Sequence, residues 1–188
     1  MSFGTANPAR RIFVAGSGGY YSTNGVLSSI TIGGQSATIH IQQSGNGFCF
    51  IASAIVGSGS SGDIDMTFSQ SVGFISVGLY SATNYGSSPY ATASAAASTS
   101  PYENATATLN LPANGFLIAS ANGTTIFNSS ISWTGATQDF QSNASYGSLY
   151  FSNTSASVNP TSATASASVE ASCSGVGAVT SICVVSWI

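Results

Sequence analysis

The sequence predicts an all-β fold, an antiparallel β-sandwich of jelly-roll-like type, and three observations carry that prediction. Apolar residues recur at period two along almost the whole chain. No stretch longer than a turn carries the i, i+3, i+4, i+7 spacing of an amphipathic helix. Glycine and asparagine pairs punctuate short strands at the spacing of a sandwich.

Taken in order, Met1 to Arg11 precede the first apolar run and read as an N-terminal arm, with the sandwich occupying residues 12–188. Strands are expected at 11–15, 26–32, 36–43 and 47–56. The reversals between them fall at Gly33-Gly34 and Gly45-Asn46-Gly47, where glycine supplies the positive φ that tight turns require. After the glycine-rich stretch Gly57 to Gly62, Ile64, Met66 and Phe68 alternate with Asp63, Asp65 and Thr67, and Ile75, Val77 and Leu79 share one face. Residues 85–100 alternate Ala and Ser and read either as a small-residue strand or as a long surface loop. Further strands are expected at 105–111, 115–121, 129–134, 146–151 and 178–187. The turns Asn114-Gly115 and Asn122-Gly123 flank Phe116 to Ala121. Ser162 to Ser172 alternates most clearly, with Ala163, Ala165, Ala167, Val169 and Ala171 on one face. No exact repeat of solenoid period is present and no linker cuts the chain, so one domain is expected.

Composition excludes several function classes. Charged residues are 4% of the 188, there is no lysine, and Arg10 and Arg11 are the only cationic side chains apart from one histidine. A nucleic-acid binder needs several cations to displace counterions from phosphates, and a peripheral membrane protein needs a basic amphipathic face; two adjacent arginines supply neither. No stretch has the length or apolarity of a membrane span, and the short apolar run after Arg11 is no signal-peptide core, so synthesis in a host cytoplasm is expected. Ten Phe, eight Tyr and two Trp are enough to fill a core, so the chain is not disordered. A surface so poor in charge favours association, and a fixed homo-oligomeric assembly is expected.

The residues that carry chemistry are few. Asp63 and Asp65, at i and i+2, lie on one strand face side by side, not across a substrate bond as a glycosidase pair must, and read as a solvated face or as a rim that helps hold one calcium ion. His40 falls on the polar face with Thr38 and Gln42, and no Gly-x-Ser-x-Gly elbow accompanies the many serines. Cys49, Cys173 and Cys183 form neither a zinc set nor a complete disulfide framework and read as buried thiols. No catalytic residue, metal or cofactor is therefore assigned, and the chain is expected not to be an enzyme. Five Asn-x-Ser/Thr triplets, at Asn104, Asn122, Asn128, Asn143 and Asn153, follow from the composition. Tyrosines near turns, foremost Tyr85, Tyr90 and Tyr102, suit stacking against the CH face of a sugar, the alternative being that they cap the sandwich or line a subunit interface.

Arg10-Arg11-Ile12-Phe13-Val14, then Ser29-Ile30-Thr31-Ile32-Gly33-Gly34-Gln35-Ser36-Ala37-Thr38, are similar to segments of a group of tailed-bacteriophage virion structural proteins, of the marine and alphaproteobacterial phage type. Gly62-Asp63-Ile64-Asp65-Met66-Thr67-Phe68, the turn Leu111-Pro112-Ala113-Asn114-Gly115 and Trp133-Thr134-Gly135-Ala136 resemble the same group. The resemblance spans most of the chain. It implies a β-sandwich on the exterior of a virion: a capsid decoration (cement) protein bound to the major capsid protein, or alternatively a head-spike or tail adsorption protein that binds host surface polysaccharide. It carries no catalytic residues. Within that reading the arm bearing Arg10 and Arg11 is the expected docking segment on the particle.

Overall fold

A computed structural model of the chain describes residues 1–20, 25–45, 47–96, 104–125, 130–146, 149–173 and 177–188. The fold is all-β, and its strands pair antiparallel throughout the described residues. The first half of the chain carries β1 (Arg10–Tyr20), β2 (Leu27–Ile32), β3 (Gln35–Ser36), β4 (Thr38–Ser44), β5 (Phe48–Ile55), β6 (Ile64–Phe68) and β7 (Val72–Thr83). The second carries β8 (Ala91–Ala95), β9 (Ala105–Leu111), β10 (Phe116–Thr125), β11 (Ile131–Thr134), β12 (Thr137–Tyr146), β13 (Leu149–Val158), β14 (Thr164–Cys173) and β15 (Gly177–Trp187).

These strands form four sheets where a jelly roll has two. An outer sheet β3-β2-β6 covers an inner sheet β4-β5-β1-β7, and an inner sheet β12-β13-β10-β15-β8 is covered by an outer sheet β11-β14-β9. Each half is thus a small sandwich, and the two inner sheets pack face to face. Three cores follow. Ile12, Val14, Phe48, Phe50 and Ile32 fill the first sandwich; Leu117, Ala119, Ile182, Val184 and Val169 fill the second; Phe13, Ile51, Phe116, Ile118, Val185 and Trp187 fill the seam between them. An inner strand buried on both faces has no polar side, which is why β5 reads Phe48-Cys49-Phe50-Ile51-Ala52 without alternation.

The halves repeat one topology. The order β4-β5-β1-β7 in the first is β12-β13-β10-β15 in the second, and the pair β2-β6 corresponds to β11-β14. Registers agree: Val14 lies between Ala52 and Leu79 as Ala119 lies between Ala156 and Val184. Both β4 and β12 carry a bulge at the same place, between Ile39 and Ile41 and between Gln138 and Phe140. The sequences there are Ala37-Thr38-Ile39-His40-Ile41-Gln42 and Ala136-Thr137-Gln138-Asp139-Phe140-Gln141. Gln42 Oε1 accepts the backbone N–H of Leu27 at 2.9 Å, and Gln141 Oε1 accepts that of Ile131 at 3.1 Å, each fixing the first residue of its outer strand. Contacts across the seam are reciprocal too: β5 meets β10 as β13 meets β1, and β4 meets β15 as β12 meets β7, the pattern of an isologous two-fold interface within one chain. No exact repeat marks this in the sequence, because the correspondence lies mainly in burial and register; identical residues recur in the Ala-Thr-x-x-apolar-Gln segment and at scattered positions such as Ala52-Ser53 and Ala156-Ser157.

Several expectations are corrected. Residues 1–9 are no free arm: Phe3 is buried in the first core, Ser2 bridges Ser61, and the N-terminal ammonium donates to Gly62 O at 2.7 Å. Asn122-Gly123 is not a turn, since β10 runs through it with a register shift against β15. The expected strand 146–151 straddles a hairpin, β12 to β13. In β14 the alternation holds at Val169 and Ala171, whereas Ala163 and Ala165 are exposed before an irregularity at Ser166, which has φ 54°. Ile64, Met66 and Phe68 face the first core, with Asp63, Asp65 and Thr67 exposed, as the alternation requires.

Candidate functional site

The two arginines lie inside the protein, at the N-terminal end of β1. Arg10 is 1% exposed, and its guanidinium donates to the carbonyls of Val56 at 2.8 Å, Phe3 at 3.3 Å, Gly4 at 2.9 Å, Ser58 at 3.0 Å and Gly59 at 2.7 Å. A guanidinium has five N–H donors, so this set uses its full capacity. Arg10 ties the chain before β1 to the segment after β5. It has no N–H left for a capsid partner, which corrects its expected docking role.

Arg11 is 5% exposed and points the other way, into the seam. Its Nη1 donates to Ser53 Oγ at 3.1 Å, and Ser53 Oγ lies 2.8 Å from His40 Nε2. The bulge in β4 turns His40 towards this cluster and away from the solvent face expected for it; its ring meets Trp187 edge-on, centroids 5.4 Å apart. Burial, then the Arg11 charge, hold the His40 pKa below its ordinary value, and burial lowers that of Arg11. With Ser53 Oγ accepting from Arg11, its hydroxyl proton can be donated to His40 Nε2, a bond that suits the neutral imidazole favoured by burial. A serine and a histidine at hydrogen-bond distance suggest a nucleophile and base. Here, however, the third member is a cation where a triad places a carboxylate, and Ser53 is 1% exposed. The cluster is built to lock the seam.

Its counterpart across the pseudo-two-fold is Asp139, the bulge residue of β12, whose Oδ2 accepts from Tyr80 OH at 2.8 Å. Burial first of all raises the Tyr80 pKa, and the neighbouring carboxylate adds to the rise. Each bulge residue therefore reaches the other half: His40 to Trp187 on β15, and Asp139 to Tyr80 on β7. Ser120 Oγ donates to Gly16 O at 2.9 Å, adding a direct tie between β10 and β1. Cys49 and Cys183 meet in the seam with sulfurs 2.8 Å apart, and burial pushes the Cys183 thiol pKa up. Cys173 is half-buried, away from this pair.

Of the tyrosines singled out for sugar stacking, Tyr85 is half-buried with its ring edge-on to Phe116 at 4.5 Å, Tyr90 is 53% exposed, and Tyr102 lies outside the described residues. Tyr85 and Tyr90 both belong to the segment crossing from β7 to β8, Tyr90 held by its N–H on Ser186 O at 2.8 Å. Asp65 accepts from Thr31 Oγ1 at 3.1 Å on the exposed outer face. Among the described residues no three His, Cys, Asp or Glu side chains converge as a metal set. Two of the Asn-x-Ser/Thr asparagines, Asn122 and Asn153, are fully buried and bonded to each other at 2.7 Å, so they are structural; Asn128 lies outside the described residues. No family model, curated protein or solved structure matches this chain.

Proposed function

We propose that this chain is an external structural component of a bacteriophage virion, a decoration (cement) protein that binds the major capsid protein in symmetric copies. The observation that carries the reading is where the charge lies. With no lysine and both arginines buried, the surface presents no cationic side chain beyond a half-buried histidine whose pKa is held down by burial and by Arg11. Such a surface repels polyanions, offers trypsin-like proteases no accessible cleavage residue, and attaches to a partner through uncharged polar and apolar contact. The resemblance to phage virion proteins points the same way, and two sandwiches sharing a buried seam suit a part that must stay rigid outside the cell.

Quantitative mass spectrometry of purified particles tests this. About one copy per capsid subunit, or one per local three-fold, supports a decoration protein. Absence from particles overturns the virion reading. A few dozen copies or fewer favour the second reading, a head-spike or tail adsorption protein. The exposed ring of Tyr90 on the β7–β8 crossing favours that reading too, as a stacking surface for host glycan. In that case Tyr90→Ala lowers host adsorption with particle occupancy unchanged.

A further inference from the structure

The pseudo-two-fold reveals one margin finished in the second half and unfinished in the first. Beyond β15 the inner sheet continues into β8, with Ile182 opposite Ala95 and Ser186 opposite Ala91; beyond β14 the outer sheet continues into β9. Beneath these strands Val169, Val179, Ile182 and Val184 are wholly buried. Among the described residues the first half has nothing at the matching places. Its sheets end at β7 and β6, and the chain before β1 contributes a single bridge, Ser2 to Ser61, just ahead of β6. In consequence Met66, Phe68, Ile75, Val77 and Leu79, which face the first core, remain only half-buried.

The open edge is unguarded. Exposed edge strands are ordinarily blunted by lysine, proline or inward charge, and Val72–Thr83 contains none of these. Its centre is symmetric in kind: Phe74-Ile75-Ser76-Val77-Gly78-Leu79-Tyr80 reads aromatic, aliphatic, small, Val, small, aliphatic, aromatic in either direction. Antiparallel pairing with itself about Val77 sets Phe74 opposite Tyr80, Ile75 opposite Leu79 and Ser76 opposite Gly78, like with like on each face.

We infer that β7 is a self-pairing edge: two copies of this chain join β7 to β7 about a two-fold axis through Val77, making one eight-stranded inner sheet. A floor for the incoming strand exists. β8 rests on β4 of the first half, Ser94 Oγ bonding Gln43 Oε1 at 3.2 Å, and the pseudo-symmetric floor beside β7 is β12. The second copy is the occupant that closes both unfinished margins at once, whereas exchanging β8 between copies only moves the gap from one half to another. This inference stands independently of the virion reading.

The full-length protein is examined by sedimentation equilibrium up to about 100 μM, far above a micromolar Kd. The expected species has twice the 18.8-kDa chain mass. Val77→Cys in a Cys173→Ser background places one thiol against its own copy, and mild oxidation with diamide is expected to convert most of the protein to a disulfide-linked dimer. Thr38→Cys, exposed on the opposite edge strand β4, stays uncrosslinked. Val77→Lys sets two like charges opposite each other on the axis and yields a monomer with an unchanged β circular dichroism spectrum. A wild type that stays monomeric overturns the inference. So does a dimer that crosslinks through Thr38→Cys and not Val77→Cys, or one that persists in folded Val77→Lys.

Discussion

Phe48 and Phe50 in the first sandwich stand where Ser152 and Thr154 stand in the second, by the registers that pair Ala52 with Val14 and Ala156 with Ala119. Residues 48–52 and 152–156 are buried throughout. In β5 the burial is hydrophobic: Phe50 lies over Gly16, where no side chain fits, and stacks beside Phe48 at 6.4 Å. In β13 much of the burial is polar, and Thr154 and Asn153 are paired while the buried Ser155 Oγ is not. Thr154 Oγ1 accepts from Trp133 Nε1 at 3.1 Å and donates to Phe140 O at 2.7 Å, and Asn153 Oδ1 accepts from Asn122. Position in the stack of sheets, not residue type, decides what is buried; residue type decides how the burial is compensated.

The comparison breaks most visibly at these paired sites. Phe50→Ala removes a core ring and leaves a cavity, and a loss of about 3–5 kcal/mol is expected in urea unfolding. Thr154→Val keeps the shape at the matching site but strands the Trp133 N–H, for a loss of about 1–3 kcal/mol. A Thr154→Val protein as stable as wild type would show that β13 is held by packing, as β5 is.

The same contrast explains what could be read from the sequence. Where burial is apolar the sequence is legible: the alternation of Ile64, Met66 and Phe68 with Asp63, Asp65 and Thr67 marks β6, and the apolar run 47–56 marks β5. Where burial is polar it is not. Residues 137–158 carry Gln, Ser, Asn and Thr at inner-sheet positions, so period-two hydrophobicity vanishes and the single strand expected at 146–151 straddles the turn of the β12–β13 hairpin. The arginines were misplaced for a related reason. Two adjacent cations near a terminus look solvent-bound until the carbonyls of Val56, Ser58 and Gly59, distant in sequence, are seen to surround one of them. The repeat escapes the sequence, where its longest shared trace is Ala37 to Gln42 and Ala136 to Gln141, at which the bulge and the glutamine bond demand particular residues.

Those glutamines sharpen the comparison further. If the halves use one device, Gln42→Ala and Gln141→Ala each leave one outer-strand N–H unpaired, at Leu27 and at Ile131, and cost the same, about 1–2 kcal/mol apiece. Their sites are far apart, so the double variant is expected to lose the sum. Unequal costs differing by more than about 1 kcal/mol would mean that one half has replaced the device with other contacts.

The smallest effect concerns the bulge residue His40, whose pKa is held down by burial and by the neighbouring Arg11, whereas its counterpart Asp139 faces Tyr80. The His40 pKa in the folded protein lies below its unfolded value of 6.5. Above that value both states carry a neutral imidazole, and the favourable Ser53 bond is fully present. As pH falls below it the unfolded chain takes up a proton that the folded seam refuses, so stability drops until the folded pKa is passed, and the slope then vanishes. His40→Asn removes the titration and keeps a polar partner for Ser53. The difference in urea midpoint between wild type and His40→Asn is therefore expected to shrink or reverse between about pH 7.5 and pH 5, in favour of the variant. A His40→Asn difference that stays flat with pH would place the proton on the folded imidazole and Arg11 too far away to oppose it.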